Sequence, residues 1–167
     1  SDVCSSDLMG GFEIDAKVFT PGPRQRELFE VQGLRCAILI CADHGIPGIQ
    51  AELAAQGCDV IIGPTAGLGD AVHAFRQKDL ADPVKLEEYI RKADTVCSLN
   101  HAARQNLELN MGLACCNQMG FDEALGFFHC GHAGVIDRTG EMTALIPGHF
   151  CADHLRPEVA VGFVSGR

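Results

Sequence analysis

Residues 36–48 read "CAILICADHGIPG". An apolar run of strand length ends on Cys41 and passes at once into Asp43, His44, Gly45 and Pro47, the signature of a buried strand entering a sharp turn. Upstream, "ELFEVQGLRCAILIC" divides into two strands at Gln32-Gly33, a tight hairpin signal. Downstream, "PGIQAELAAQG" predicts a short helix opened near Pro47 and closed by Gly57. "CDVIIGPTAG" follows as a strand apolar on both faces, ending at Pro64, Thr65 and Gly67. A long helical stretch is predicted over 83–109, with Leu86, Ile90, Ala93, Cys97 and His101 along one stripe. "MGLACCNQ" then reads as a strand and "AGVIDRTGEMTALI" as a hairpin turning at Arg138-Thr139-Gly140. Strand, helix, strand, helix, strand is the order of a layered α/β domain.

Composition narrows the partners. The 167 residues carry a formal charge of −9, with 47% hydrophobic and 21% charged residues, ordinary for a chain with a buried core. No basic cluster overrides the negative charge, so neither nucleic acid nor an anionic membrane surface is an expected partner. The longest apolar run, "CAILICA", is far short of the roughly 20 residues that span a bilayer. The first residues show no basic segment followed by an apolar one. Nine cysteines are an odd number, and Cys36, Cys58, Cys115 and Cys116 sit in apolar runs. They read as free packing thiols in a reducing, cytoplasmic compartment.

Cys41 stands apart. A strand-to-turn junction projects its side chain at the carboxyl edge of a sheet, where α/β proteins place ligands. Turn amides and a following helix N-terminus stabilise a thiolate there and make it a nucleophile. The plain alternative is a thiol that caps a buried strand. Asp43-His44 permits a Cys-His dyad, but neighbouring side chains on a turn rarely face one another, and Asp43 fits better as a partner of turn amides. His129, Cys130 and His132 with Cys115-Cys116 lack the gaps of paired zinc ligands, so no metal is expected.

The surrounding pattern resembles the carbon–nitrogen hydrolase (nitrilase) family. Its nucleophile segment is matched by Ile40, Cys41, Asp43, Pro47, Leu53, Ala54, Gly57, Asp59, Val60, Ile61, Pro64 and Thr65. "ARQNLELNMGLACCNQMG" is similar to the family's "AxENxxxxxxxNxxG", "HAGVIDRTGEMTALIPG" to its "SxIxDPxGxxLA", and Phe19–Gly22 to its "FTPG" turn. The likeness runs in order over residues 12–148.

The resemblance implies a four-layer α-β-β-α sandwich. It also implies a Cys-Glu-Lys set that hydrolyses non-peptide C–N bonds of amides, N-carbamoyl compounds or nitriles without a cofactor. By that resemblance Cys41 is the nucleophile and the Ala42 N–H an oxyanion donor. Pro64, Thr65, His129 and His132 line the substrate pocket, and a homo-oligomer is expected. The family's lysine and glutamate lie upstream of its "FTPG" turn, and Lys17 is too close to that turn to be the lysine. Spacing favours Asp15 as a supporting acid, chemistry favours Glu13, and the choice stays open. Residues 1–8, "SDVCSSDL", resemble translated sequencing adapter, leaving 9–167 as a partial hydrolase domain, incomplete at its N-terminus and inactive or nearly so by itself. A catalytically dead or non-enzymatic scaffold of the same fold is the competing expectation.

Overall fold

Gln32 and Gly33 both take positive φ, 51° and 82°, the backbone a two-residue type I′ hairpin demands. They join β1 (Phe29–Val31) to β2 (Leu34–Ile38), with Val31 opposite Leu34. The computed structural model describes residues 26–65, 82, 84, 106–122, 127–131, 133–146 and 159–166. After β2 come a 3₁₀ turn at Cys41–Gly45, helix α1 (Ile49–Ala55) and β3 (Val60–Thr65). β4 (Gly112–Asn117), β5 (Met119–Asp122), β6 (Phe127–Cys130), β7 (Ala133–Ile136) and β8 (Met142–Ile146) follow.

Six strands form one mixed sheet in the order β1-β2-β3-β4-β7-β8, with β2, β3 and β4 parallel. The register aligns Ala37, Ile61, Leu113 and Ile136 across four strands on one face. All four are buried, and α1 closes over them through Ile49 and Leu53. Opposite this core face, Ile38, Ile62, Ala114, Val135 and Ala144 form a second apolar row. The extended segment 159–166 crosses that side: a Cβ on Gly162 would lie 2.7 Å from the Val135 Cβ and 2.9 Å from that of Ala144. Only glycine admits so close an approach. Ser165 ties the segment down, its N–H donating to Asp137 Oδ1 at 2.7 Å. That bond above all lowers the Asp137 carboxyl to about 2.

α1 ends as its sequence requires. Gly57 takes φ 84°, its N–H donates to the Ala54 carbonyl at 2.9 Å, and the Cys58 N–H reaches back to Leu53 at 3.0 Å. These two bonds make a Schellman closure that satisfies the last helical carbonyls. Gly57→Ala forces a side chain into left-handed backbone, with its Cβ 2.6 Å from Arg35 Nη1. The Arg35 side chain can swing away, so backbone strain dominates, and a loss of about 1–2 kcal/mol is expected. A lower urea midpoint at unchanged slope is the measurement that checks it.

The α/β order, both hairpins, α1 and strands β3 and β4 agree with the sequence reading. Met119–Asp122 and Phe127–Cys130 pair as the antiparallel ribbon β5–β6, two strands that the sequence reading did not place. Cys116, read as a packing thiol, is exposed on β4, whereas Cys36, Cys58 and Cys115 are buried. Strand alternation accounts for this: Cys115 pairs with Gly63 on the core face and Cys116 turns to the other. The helix predicted over 83–109 falls largely outside the described residues, although 106–108 at its end are helical.

Candidate active site

β2 gives up its ladder two residues past its end. The Leu39 N–H still donates to the Ile62 carbonyl at 3.0 Å, Ile40 is extended (φ −90°), and Cys41 then takes φ 44°. Left-handed backbone costs a non-glycine residue about 1–2 kcal/mol, so the surroundings must impose it. They do so through Asp43, whose Oδ2 accepts the Ile40 N–H at 3.0 Å while its own N–H donates to the Ile40 carbonyl at 2.9 Å. Arg26 Nη2 lies 3.1 Å from Asp43 Oδ1, and both side chains are buried. Gln50 of α1 donates its Nε2 to the His44 carbonyl at 2.9 Å. Strained backbone held from several sides is a recurring feature of reactive sites.

The thiols differ sharply in surroundings. Cys41 is partly exposed, while Cys36 and Cys58 show 4% and 1% of their surface. Burial, with the Asp59 charge second, pushes the Cys36 thiol up. Burial takes Cys58 to about 11, only partly opposed by hydrogen bonding to the backbone of Val60; its Sγ donates to the Val60 carbonyl at 3.3 Å. Neither sulfur is suited to form a thiolate near neutrality.

Pro64 and Thr65 end β3 at the same carboxyl edge, paired with Cys116 and Asn117 of β4. Thr65 Oγ1 donates to the Cys116 carbonyl at 3.1 Å and lies 3.9 Å from Cys115 Sγ. Asn117 Nδ2 donates to the Gly131 carbonyl, fastening the chain between β6 and β7 to this edge. His129 lies on β6 opposite Gly120. Ala42 follows Cys41 in the 3₁₀ turn. Asp15, Glu13 and His132 lie outside the described residues. No group of three or more His, Cys, Asp or Glu that could hold a metal occurs among the described residues, and none of their helices is long and apolar enough to cross a membrane. A cavity of about 440 Å³ lined by Arg35, Gly57, Asp59 and Val164 opens at the opposite, amino-terminal edge of β2 and β3, remote from Cys41.

Two features escaped the sequence reading. Arg26, the buried counter-ion of Asp43, has no local pattern to mark it. His44 folds its ring onto β3, where a Cβ at Gly63 would meet Nε2 at 2.6 Å. An isolated glycine inside a strand signals close approach of another group, and Gly63 was such a sign.

No protein-family model and no curated protein matches the sequence. Solved structures do match its fold. A carbon–nitrogen hydrolase from Helicobacter pylori G27 superposes with a TM-score of 0.63 at 19% identity, covering 87% of this chain and 45% of its own. An amidase from Nesterenkonia sp. gives 0.54 at 19%, covering 78% and 40%, and a mutant of it is described with acrylamide added at the active site cysteine. The glutamine-dependent NAD+ synthetase of Acinetobacter baumannii gives 0.59 at 16%, covering 86% and 23%. The chain therefore has the α/β fold of nitrilase-superfamily carbon–nitrogen hydrolases, as the sequence reading expected, and spans less than half the length of each of these structures.

Proposed function

We propose that Cys41 is the nucleophile of a hydrolase acting on a non-peptide carbon–nitrogen bond of an amide, N-carbamoyl compound or nitrile. The observation that carries this is the left-handed Cys41, partly exposed at the carboxyl edge of the parallel strands in a fold shared with solved carbon–nitrogen hydrolases. With an amide, the thiolate attacks the carbonyl carbon and the Ala42 N–H donates to the oxygen as it gains charge. The C–N bond breaks, the nitrogen leaves with a proton as ammonia or amine, and a thioester remains. Water then adds to the thioester carbon, releasing the acid and restoring the thiol. Pro64, Thr65, His129 and His132 are the side chains proposed to border the substrate, with Asp15 or Glu13 as a supporting acid. Neither metal nor organic cofactor enters this chemistry, and a homo-oligomer remains the proposed assembly.

The second reading, a catalytically dead scaffold, draws on a specific feature: Asp43, the carboxylate nearest in sequence to Cys41, is occupied by Arg26 and the Ile40 N–H. Moreover, residues 1–11 contain neither lysine nor glutamate, the two groups the family carries upstream of its turn. A thiol near pKa 8.5 is mostly protonated at pH 7, and groups that act as a unit lose most of their effect when separated. The 167-residue chain by itself is accordingly proposed to be inert or nearly so. Ammonia release from simple amides, N-carbamoyl compounds and nitriles is expected at the buffer rate, and supplying the missing partners on a longer polypeptide should raise it. Turnover by the chain alone that disappears in Cys41→Ala would overturn its inertness and support the nucleophile. If the longer polypeptide is equally silent, the scaffold reading stands.

A further inference from the structure

His44 sits three residues after Cys41 with its ring turned inward. Both ring nitrogens are buried, and neither makes a hydrogen bond of good geometry. The ring edge fills the space above Gly63 of β3, with Nε2 2.6 Å and Cε1 3.1 Å from where a Cβ would stand. A neutral imidazole carries one donor and one acceptor, and leaving both dry is already costly. A second proton in that position would bury an unpaired cation, which costs far more. The side chains around the ring offer a proton no compensation. β3 presents Gly63, which has no side chain, and α1 presents the uncharged Gln50. Within the turn, the Asp43 carboxylate is directed at Arg26. Burial lowers the His44 pKa from 6.5, and the Leu39 carbonyl only partly opposes it.

We propose that His44 is a positioning residue for Cys41: its neutral ring, seated on Gly63, wedges the turn against β3, and protonation of the ring releases it. This rests on Cys41 being the reactive thiol. The sign follows from linkage. Between the lowered folded-state value and 6.5 the unfolded chain binds more protons than the folded one. The stabilisation is therefore complete above about pH 6.5 and is lost as pH falls through the lowered value. A released turn no longer holds Cys41 in its left-handed backbone, and the reactivity proposed for the thiol is lost with it.

The test compares iodoacetamide alkylation of Cys41, followed by peptide mass spectrometry, in the folded chain and in the same chain in urea. The ratio is taken at each pH from 5 to 8: a stabilised thiolate can only raise it as pH falls, so a decline reports the turn and not the thiol's own titration. The expected ratio is about 10 or more near pH 6.5 and falls toward one as the pH drops through the His44 transition; in His44→Gln it does not fall as the pH drops. A wild-type ratio that stays high to pH 5, or the same fall in His44→Gln, overturns the wedge. A ratio near one at pH 7.5 overturns the reactive-thiol reading and the wedge with it. Should His44→Gln fail to fold, Gly63→Ala displaces the ring while keeping the histidine. It is expected to lower the ratio at pH 7.5 with Cys116 unchanged, and an unaltered ratio there overturns the wedge.

Discussion

At pH 7, iodoacetamide is expected to modify Cys41 at least about a hundredfold faster than Cys58. Held at about 11, Cys58 is only about 0.01% thiolate at pH 7, roughly 300-fold less than a free cysteine in water. Access adds to the difference, since Cys58 shows 1% of its surface and Cys36 4%. Exposed Cys116 is the informative competitor. If exposure alone governed the rate, Cys116 would react first. If the left-handed turn activates the sulfur, Cys41 leads. Site-resolved mass spectrometry over a time course separates the two, and labelling of Cys116 ahead of Cys41 would sink the nucleophile assignment.

The segment that carries this site was legible because its signals are local. Gln32-Gly33 is read from two residues, since few pairs tolerate positive φ together. Gly57 is read from its place after an amphipathic helix, and Cys41 from the abrupt loss of apolar character after it. Long-range features left no such mark. Arg26 and Asp43 stand 17 residues apart, and nothing in either neighbourhood announces a pair whose purpose is to hold a turn between them. The β5–β6 ribbon was missed for another reason: "MGFD" and "FFHC" are too short, and too rich in Gly and polar residues, for period-two alternation to show. The inward fold of His44 depends on the missing Cβ at Gly63, a fact of strand register rather than of the turn's own sequence.

The same long-range pair makes Asp43→Ala the substitution with the largest expected cost in stability. It removes the acceptor of the Ile40 N–H and the carboxylate beside a guanidinium that is 7% exposed. Breaking a buried ion pair from one side costs about 3–5 kcal/mol, because the surviving charge stays in a dry site. Set against a typical total of about 5–15 kcal/mol, that is about a fifth or more of the fold's stability. Asp43→Asn retains the Ile40 acceptor and the shape and should lose less. Arg26→Met should cost nearly as much as Asp43→Ala, by stranding the carboxylate. Combining Arg26→Met with Asp43→Asn removes both charges at once, so the double variant should lose much less stability than the sum of the single losses. Urea midpoints of the four variants give the coupling directly. Additive losses would mean that the two residues act independently, and Cys41 would then need some other restraint to hold its left-handed backbone.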